Sequence, residues 1–270
     1  MKKSIVIVAL ATLGTSAFAF TSEAWLNGTE SASNSLSITD IEGFIADMPS
    51  VSNSDLIAGA IGTERLGDTG WHPANTNPAD QLPALTDGAG RVGLAGLLND
   101  FPPVGLPTKL LQYDFALPVN IQSINVFSGN GGADGRVFHT YVVRWSTDNG
   151  SNWSDDIYVQ SSTLGSLQNG TNEFDYTDIY SSLSADSGFL ASAVTNLQFD
   201  FYGVDNGQGQ YRDPFEGVNP FTGINDGMNA PNTSPIINEI DVIGQPVPEP
   251  ATMLGLGAGL AALAARRRRK

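Results

Sequence analysis

Carboxylates are abundant in this chain, which has 28 Asp and Glu but only two His and no Cys. Without thiolates, His72 and His139 cannot form a thiolate or multi-histidine zinc site. No Gly-x-Ser-x-Gly elbow supports a serine nucleophile, and no two carboxylates stand out as a glycosidase pair. The sequence therefore favours a non-enzymatic protein, with a hydrolase acting on exopolysaccharide as the alternative.

Aromatic and hydrogen-bonding residues in predicted loops are the candidates for ligand binding, because sugars stack on flat rings and hydrogen-bond through their hydroxyls. Trp71 and Tyr211 could supply rings, and His72, Arg136 and Arg212 could supply polar contacts. Trp71 could equally fill the core from its loop. The sequence leaves these two roles of Trp71 open.

The last part of the chain has three features in a fixed order. Val247-Pro248-Glu249-Pro250 is followed by an apolar run, residues 251–265, and then by Arg266, Arg267, Arg268, Arg269 and Lys270. Proline fixes φ and lacks a backbone donor, so the Pro-Glu-Pro stretch is predicted to be extended. The apolar run is shorter than the ~20 residues of a comfortable membrane span. It nevertheless predicts a short transmembrane helix, with the terminal cations on the cytoplasmic side.

This order of features resembles the PEP-CTERM sorting tail of Gram-negative bacteria. The resemblance implies an exosortase as a processing partner and transient anchoring in the inner membrane through residues 251–265. It also implies delivery to the cell surface or the extracellular matrix. A plain tail anchor is the alternative reading.

The other end of the chain has the features of a secretory signal peptide. Two lysines are followed by an apolar segment and by Ala17-Phe18-Ala19, which predicts a signal helix and cleavage after Ala19. Three parts are therefore predicted: a signal peptide at 1–19, a β domain at 20–245 and the sorting tail at 246–270. An exported domain without cysteine must be stable without disulfides.

The predicted exported domain is strongly acidic. Without the two lysines of the signal segment and the five cations of the tail, residues 20–265 carry a formal charge of −22. We expect such a surface to repel nucleic acid and to suit cations such as calcium.

The hydrophobic pattern from Lys109 onward has a period of two, which is typical of half-buried strands. Strands are predicted at 111–117, 121–128, 137–145, 157–160, 173–176, 197–202 and 236–243. Two Gly- and Pro-rich segments, 62–107 and 203–235, predict long loops. Together these patterns predict an all-β sandwich or jelly roll with long loops and at most one or two short helices.

Four motifs of this domain resemble the galactose-binding-like, or discoidin, jelly-roll family. They are Thr86-Asp87-Gly88, Leu111-Gln112-Tyr113-Asp114-Phe115, a pattern from Tyr141 to Trp153, and Asn238-Glu239-Ile240-Asp241-Val242-Ile243-Gly244. The chain departs from the family at Ala116-Leu117-Pro118 and has no cysteine pair joining the domain's ends.

The resemblance implies a ligand, often a sugar, held by loops at the strand ends, with a structural Ca²⁺ beside them. Carried over by position, Asp87 and Glu239 would be calcium ligands, since hard oxygen donors suit Ca²⁺. The alternative is that Asp87 forms an Asx-turn and Glu239 faces solvent.

The preferred hypothesis is an exported, non-enzymatic protein of the cell surface or extracellular matrix that binds polysaccharide or serves as a matrix component. Besides the hydrolase, a second alternative is a purely structural or adhesive surface protein without a small ligand.

Overall fold

A computed structural model describes residues 18–27, 51–72, 81–88, 96–100, 103–131, 134–168 and 176–248. The predicted signal helix and the predicted hydrophobic helix of the tail lie outside these residues. In the described part, no helix is both long and apolar enough to cross a membrane.

Strands make up nearly all of the regular structure, which confirms the predicted all-β fold class. They are β1 Phe18–Asn27, β2 Thr63–Glu64, β3 Lys109–Gly131, β4 Thr140–Ser146, β5 Ile157–Gln160, β6 Tyr176–Ala185, β7 Ala191–Phe201 and β8 Ile237–Pro246. A short 3₁₀ helix spans Leu82–Leu85. The strand order is β1-β6-β3-β7-β4-β5, and β2 and β8 also pair with β3.

The long strand β3 joins the two layers of the sandwich. Its first half pairs antiparallel with β2 and β7, and its second half with β6 and β8. The register with β7 shifts between Asp114 and Val119, where Pro118 lacks a backbone donor. A bulge of this kind bends a strand from one sheet into the other, so residues 115–118 form a corner of the sandwich.

The larger of two buried hydrophobic clusters in the described residues lies between the two halves of β3. Tyr113 from the first half and Ile124 from the second belong to the same buried cluster. Tyr141 of β4 packs against Phe199 and Phe201 of β7, with ring centroids 6.0 and 5.5 Å apart. Burial of each such side chain stabilises the fold by about 1.5–3 kcal/mol, which holds the layers together without disulfides.

Loop segments cover the edge of β8 that does not pair with β3. Leu56 donates its N–H to the Val242 carbonyl oxygen at 2.9 Å, and Asp55 accepts the Val242 N–H at 3.2 Å. Gly96 lies so close to the strand that a Cβ atom there would be 1.9 Å from the Ile237 carbonyl oxygen. Covering an edge in this way satisfies its backbone groups and prevents pairing with other chains.

We call the two ends of the sandwich the tail end and the loop end, after the segments that extend from each. At the tail end, β1 begins at Phe18 opposite Ala185, β8 ends at Pro246 opposite Val119, and residues 186–190 connect β6 to β7. The loop end is at the opposite ends of these strands. It carries the segments 65–72, 103–108, 134–138 and 203–235.

Candidate functional site

The sorting motif begins where the last strand ends. In β8, Gln245 pairs with Asn120 and Pro246 with Val119. The next residue, Val247, donates its N–H to the Pro118 carbonyl oxygen at 2.8 Å. The folded domain therefore continues into the motif without a linker. Pro248 is the last described residue, and the predicted Glu249, Pro250 and terminal cations lie outside the described part.

A cluster of three carboxylates, the half-buried Asp55 and the buried Glu239 and Asp241, lies where residues 52–57 and 86–88 meet β8. Gly88 donates its N–H to Glu239 Oε1 at 3.2 Å, and Ser52 donates its N–H to Asp241 Oδ2 at 2.8 Å. Glu239 is 0% exposed, so it does not face solvent. The structure thus brings the Asp-Gly turn to the closing strand.

The low polarity of this environment disfavours charge on the cluster. The pKa of Asp241 is raised to about 7, mainly by burial, while the Ser52 N–H lowers it and the charge of Asp55 adds to the rise. Burial also raises the pKa of Asp55. The Tyr113 phenol has its pKa raised by burial and then by the charges of Glu239 and Asp55, so it lies within electrostatic reach of both carboxylates.

The cluster has donors that suit a hard cation. Asp241 Oδ1 and Asp55 Oδ2 are buried without a hydrogen-bond partner. Ca²⁺ takes six to eight oxygen ligands, including backbone carbonyls and water. Within the described ranges, no group of three His, Cys, Asp or Glu side chains is arranged to hold a metal ion. A bound Ca²⁺ would therefore need backbone carbonyls and water beside the carboxylates, and the predicted ligand Asp87 has an exposed side chain.

Both aromatic residues predicted to bind a ligand lie in the protein interior. Trp71 is 1% exposed, and Lys109 Nζ lies 4.0 Å from its ring centroid. Tyr211 is 0% exposed, and its hydroxyl lies 2.5 Å from Thr140 Oγ1. Neither ring offers a face to a sugar, which corrects their predicted role to core packing. A loop position alone does not tell whether a ring points inward.

The predicted polar ligand residues are divided between two places. Arg136 forms a bidentate pair with Asp100, at 2.8 and 2.9 Å, and its Nε donates to Asp134 at 3.1 Å. His72 Nδ1 lies 3.4 Å from the same Asp100, with 42% of its side chain exposed. Arg212 bonds instead to oxygen atoms of its own loop. The donors of Arg136 therefore hold loops together, which leaves His72 as the more accessible group.

Burial alone would raise the pKa of Asp100, but hydrogen bonds from Arg136 and the Ser234 N–H outweigh it and hold the pKa below its ordinary value. Asp100 therefore stays ionised and serves as an anchor for Arg136.

A row of polar side chains crosses the outer face of one layer, on the side away from the core. It consists of Gln112 of β3, Gln198 of β7, Arg144 of β4 and Asp156 before β5, and we call it the polar row. Gln198 donates to Gln112 at 2.7 Å, Arg144 Nε to Gln198 at 2.9 Å, and Arg144 Nη1 to Asp156 at 2.9 Å. The row is continuous because Gln112, Gln198 and Arg144 are in register.

Four aromatic rings border the polar row, and we call them the aromatic cluster: Tyr158, Tyr202, Phe215 and Phe221. Tyr158 and Phe221 stack with centroids 4.8 Å apart and planes inclined by 2°, and Phe215 lies 5.8 Å from Tyr202. Tyr158, Phe215 and Phe221 are half-buried, so part of each ring reaches solvent.

Tyr202 links the aromatic cluster to the polar row, because the charges of Arg144 and Asp156 both act on its phenol. Burial raises the pKa of Tyr202 to about 12, with smaller opposing effects from Arg144 and Asp156. The outward positions of Arg144 and Gln198 could have been read from the period-two pattern. Nothing in the sequence indicated Phe221 as a binding residue, because it is a single aromatic ring in a Gly- and Asn-rich loop.

Comparison with known proteins identifies the tail. Residues 246–269 match the family model described as the PEP-CTERM protein-sorting motif. Neither the curated proteins nor the solved structures contain a match to the chain. The predicted sorting tail is thus confirmed, and the chain is an exported protein sorted through an exosortase. For the β-sandwich, the resemblance to the galactose-binding-like family stays a prediction.

Proposed function

We propose that this exported chain is a non-enzymatic protein of the cell surface or extracellular matrix that binds polysaccharide. The proposed binding surface is the outer face of the β3-β7-β4-β5 layer. The observation that carries the proposal is the polar row beside the partly exposed aromatic cluster. The sorting tail supports the location, because it directs the chain to where such polymers lie.

The two features offer the two kinds of contact that sugars use. The rings of Phe221 and Tyr158 can stack on the apolar faces of sugar rings, while Arg144 and Asp156 can hydrogen-bond hydroxyls. Side-chain exposure is 22% for Arg144 and 38% for Asp156, so both reach the surface. Neighbouring strands lie about 4.8 Å apart. Gln198 on the middle strand is only 8% exposed, so the row offers the groups on either side of it, Gln112, Arg144 and Asp156, to an extended chain.

The proposal includes a structural Ca²⁺ at the cluster of Asp55, Glu239 and Asp241. Its support is the two buried carboxylate oxygens of Asp55 and Asp241 without hydrogen-bond partners. A bound cation would supply the charge that their burial requires. Lying at the edge of β8, it would fix residues 52–57 and 86–88 to the sheet.

Binding to the producing cell's own exopolysaccharide tests the proposal, with the full chain in detergent. We expect saturable binding that weakens about tenfold or more in Phe221→Ala, a loss of about 1.4 kcal/mol. Phe189→Ala is the matched control, because this exposed Phe lies at the tail end. Equal affinities of wild type and Phe221→Ala would exclude the aromatic cluster.

Two other outcomes would favour the alternatives. A folded wild-type chain that binds no polysaccharide would point to a structural or adhesive protein. Release of reducing ends from the polymer would point to a hydrolase.

A further inference from the structure

We propose that, before the tail is cut, the tail end of the sandwich rests on the lipid surface, with Leu117 and Phe189 in contact with lipid. The inference rests on the sorting function above and adds an orientation to it. It places the corner of β3 and the 186–190 turn against the membrane, and the loop end away from it.

The length of chain between the fold and the apolar run sets the distance. Val247 is bonded to Pro118 at the corner, and the apolar run begins at Ala251. The four Cα–Cα steps from Val247 to Ala251 span at most about 14 Å when fully extended. The interfacial layer on each side of the hydrocarbon core is about 5–8 Å thick. A run that enters the bilayer therefore keeps the corner within about 14 Å of the hydrocarbon edge, so the side chains of the tail end can reach the headgroup layer.

The start of the chain leaves the sandwich at the same end. Phe18 pairs with Ala185, next to the 186–190 turn. The predicted signal peptide therefore extends from the tail end too. The two predicted membrane-directed segments thus join the sandwich at this one end.

The exposed side chains at the tail end suit an interface. Leu117 is 47% exposed at the corner, and Phe189 is 41% exposed in the turn. Asp186 in the same turn is an exposed carboxylate. It favours the polar headgroup layer over deep insertion and disfavours a strongly anionic surface. Exposed apolar residues also occur at the loop end, Leu167 among them at 60%, but no membrane-directed segment leaves there.

Fluorescent labels at single cysteines test this orientation, because the chain has no cysteine of its own. Leu117→Cys and Phe189→Cys report on the tail end, and Leu167→Cys is the matched control at the loop end. Each labelled full chain is reconstituted into vesicles of phosphatidylethanolamine with a minor share of phosphatidylglycerol. We expect the labels at 117 and 189 to emit at shorter wavelength than the label at 167. We also expect quenching by nitroxide-bearing lipids to be several-fold stronger at 117 and 189.

Flotation of the vesicles separates a failure of this inference from a failure of the sorting function. If the chain floats with the vesicles but the three labels are quenched equally, the lipid contact is wrong. If labels 117 and 189 are shielded only when exosortase is present, the surface binds a protein and the lipid contact is again wrong. If the chain does not float, the tail does not anchor, and the inference fails together with the membrane step of sorting.

Discussion

Val247 donates its N–H to the carbonyl oxygen of Pro118 at 2.8 Å, which joins the first residue of the sorting motif to the corner of the sandwich. The two preceding residues, Gln245 and Pro246, are paired with β3. A peptidase binds its substrate as an extended strand of several residues. We therefore expect processing close to Pro-Glu-Pro to require the end of β8 to separate from β3.

A disulfide across this end of β8 should slow processing. Asn120 and Gln245 are cross-strand partners, so Asn120→Cys with Gln245→Cys can be oxidised to lock the strand. We expect the oxidised chain to be cut by exosortase at least tenfold more slowly, with the rate restored by reductant. Mass spectrometry of the product measures this, with the two single-cysteine chains as controls. Equal rates for the oxidised and reduced chains would show that β8 need not open.

Neutralising Asp241 should stabilise the protein at alkaline pH. Its pKa is raised to about 7, so the native state holds a proton that the unfolded state has lost above about pH 4. The contribution of this bound proton to stability is complete below about pH 4 and is lost as the pH rises through about 7. In chelator, we expect Asp241→Asn to raise the free energy of unfolding at pH 8 by ~2–4 kcal/mol, and by much less at pH 5.

Asp148 provides the control, because its pKa is shifted in the direction opposite to that of Asp241. It is exposed, and hydrogen bonds from Asn152 and Ser146 lower its pKa to about 2. We expect Asp148→Asn to give no gain at pH 8. Urea unfolding at both pH values measures the two variants. A gain from Asp241→Asn that does not change with pH would contradict the proposed cause.

Calcium should stabilise the chain through Glu239. At about 100 times the dissociation constant, a ligand of the native state contributes ~2.7 kcal/mol, or a rise in Tm of about 5–10 °C for a domain of this size. We expect Glu239→Gln to abolish this rise and the exposed Glu216→Gln to retain it. The rise should shrink from pH 8 to pH 5, because protons compete for Asp241. A full rise in Glu239→Gln would place any calcium elsewhere.

His139 should remain neutral and hold its proton on Nδ1. Ser128 Oγ donates to the Val137 carbonyl oxygen at 2.5 Å, so it accepts a hydrogen bond from His139 Nδ1 at 2.6 Å. Nε2 then accepts from Ser181 Oγ at 2.7 Å. Burial lowers the pKa of His139 to about 3, so its contribution to stability is present above about pH 6.5 and falls toward pH 3.

Nitrogen NMR of the ring checks this assignment. We expect the chemical shifts of an Nδ1–H tautomer, unchanged between pH 5 and 8. A proton on Nε2, or a titration in that range, would contradict the hydrogen-bond network.

Local patterns predicted much of the fold. The alternation around Leu111 and Tyr113, and that of Leu197, Phe199 and Phe201, identified inward faces that the structure confirms. β6 was largely missed, since only its first residue lies in a predicted strand. Its serines, among them Ser181 and Ser184, hide the period of two. Ser181 faces the interior because it is bonded to His139, a reason that lies 42 residues away in sequence.

The sequence by itself determined the destination of this protein. A sorting signal is read as a short extended peptide, so Pro-Glu-Pro, the apolar run and the arginines are recognisable without the fold. Tertiary structure decided which residues can meet a ligand, because exposure depends on packing between distant segments. It buried Trp71 and Tyr211 and brought Phe221 beside Tyr158 and the polar row. It also brought Pro118 to Val247, which placed the start of the signal at a corner of the sandwich.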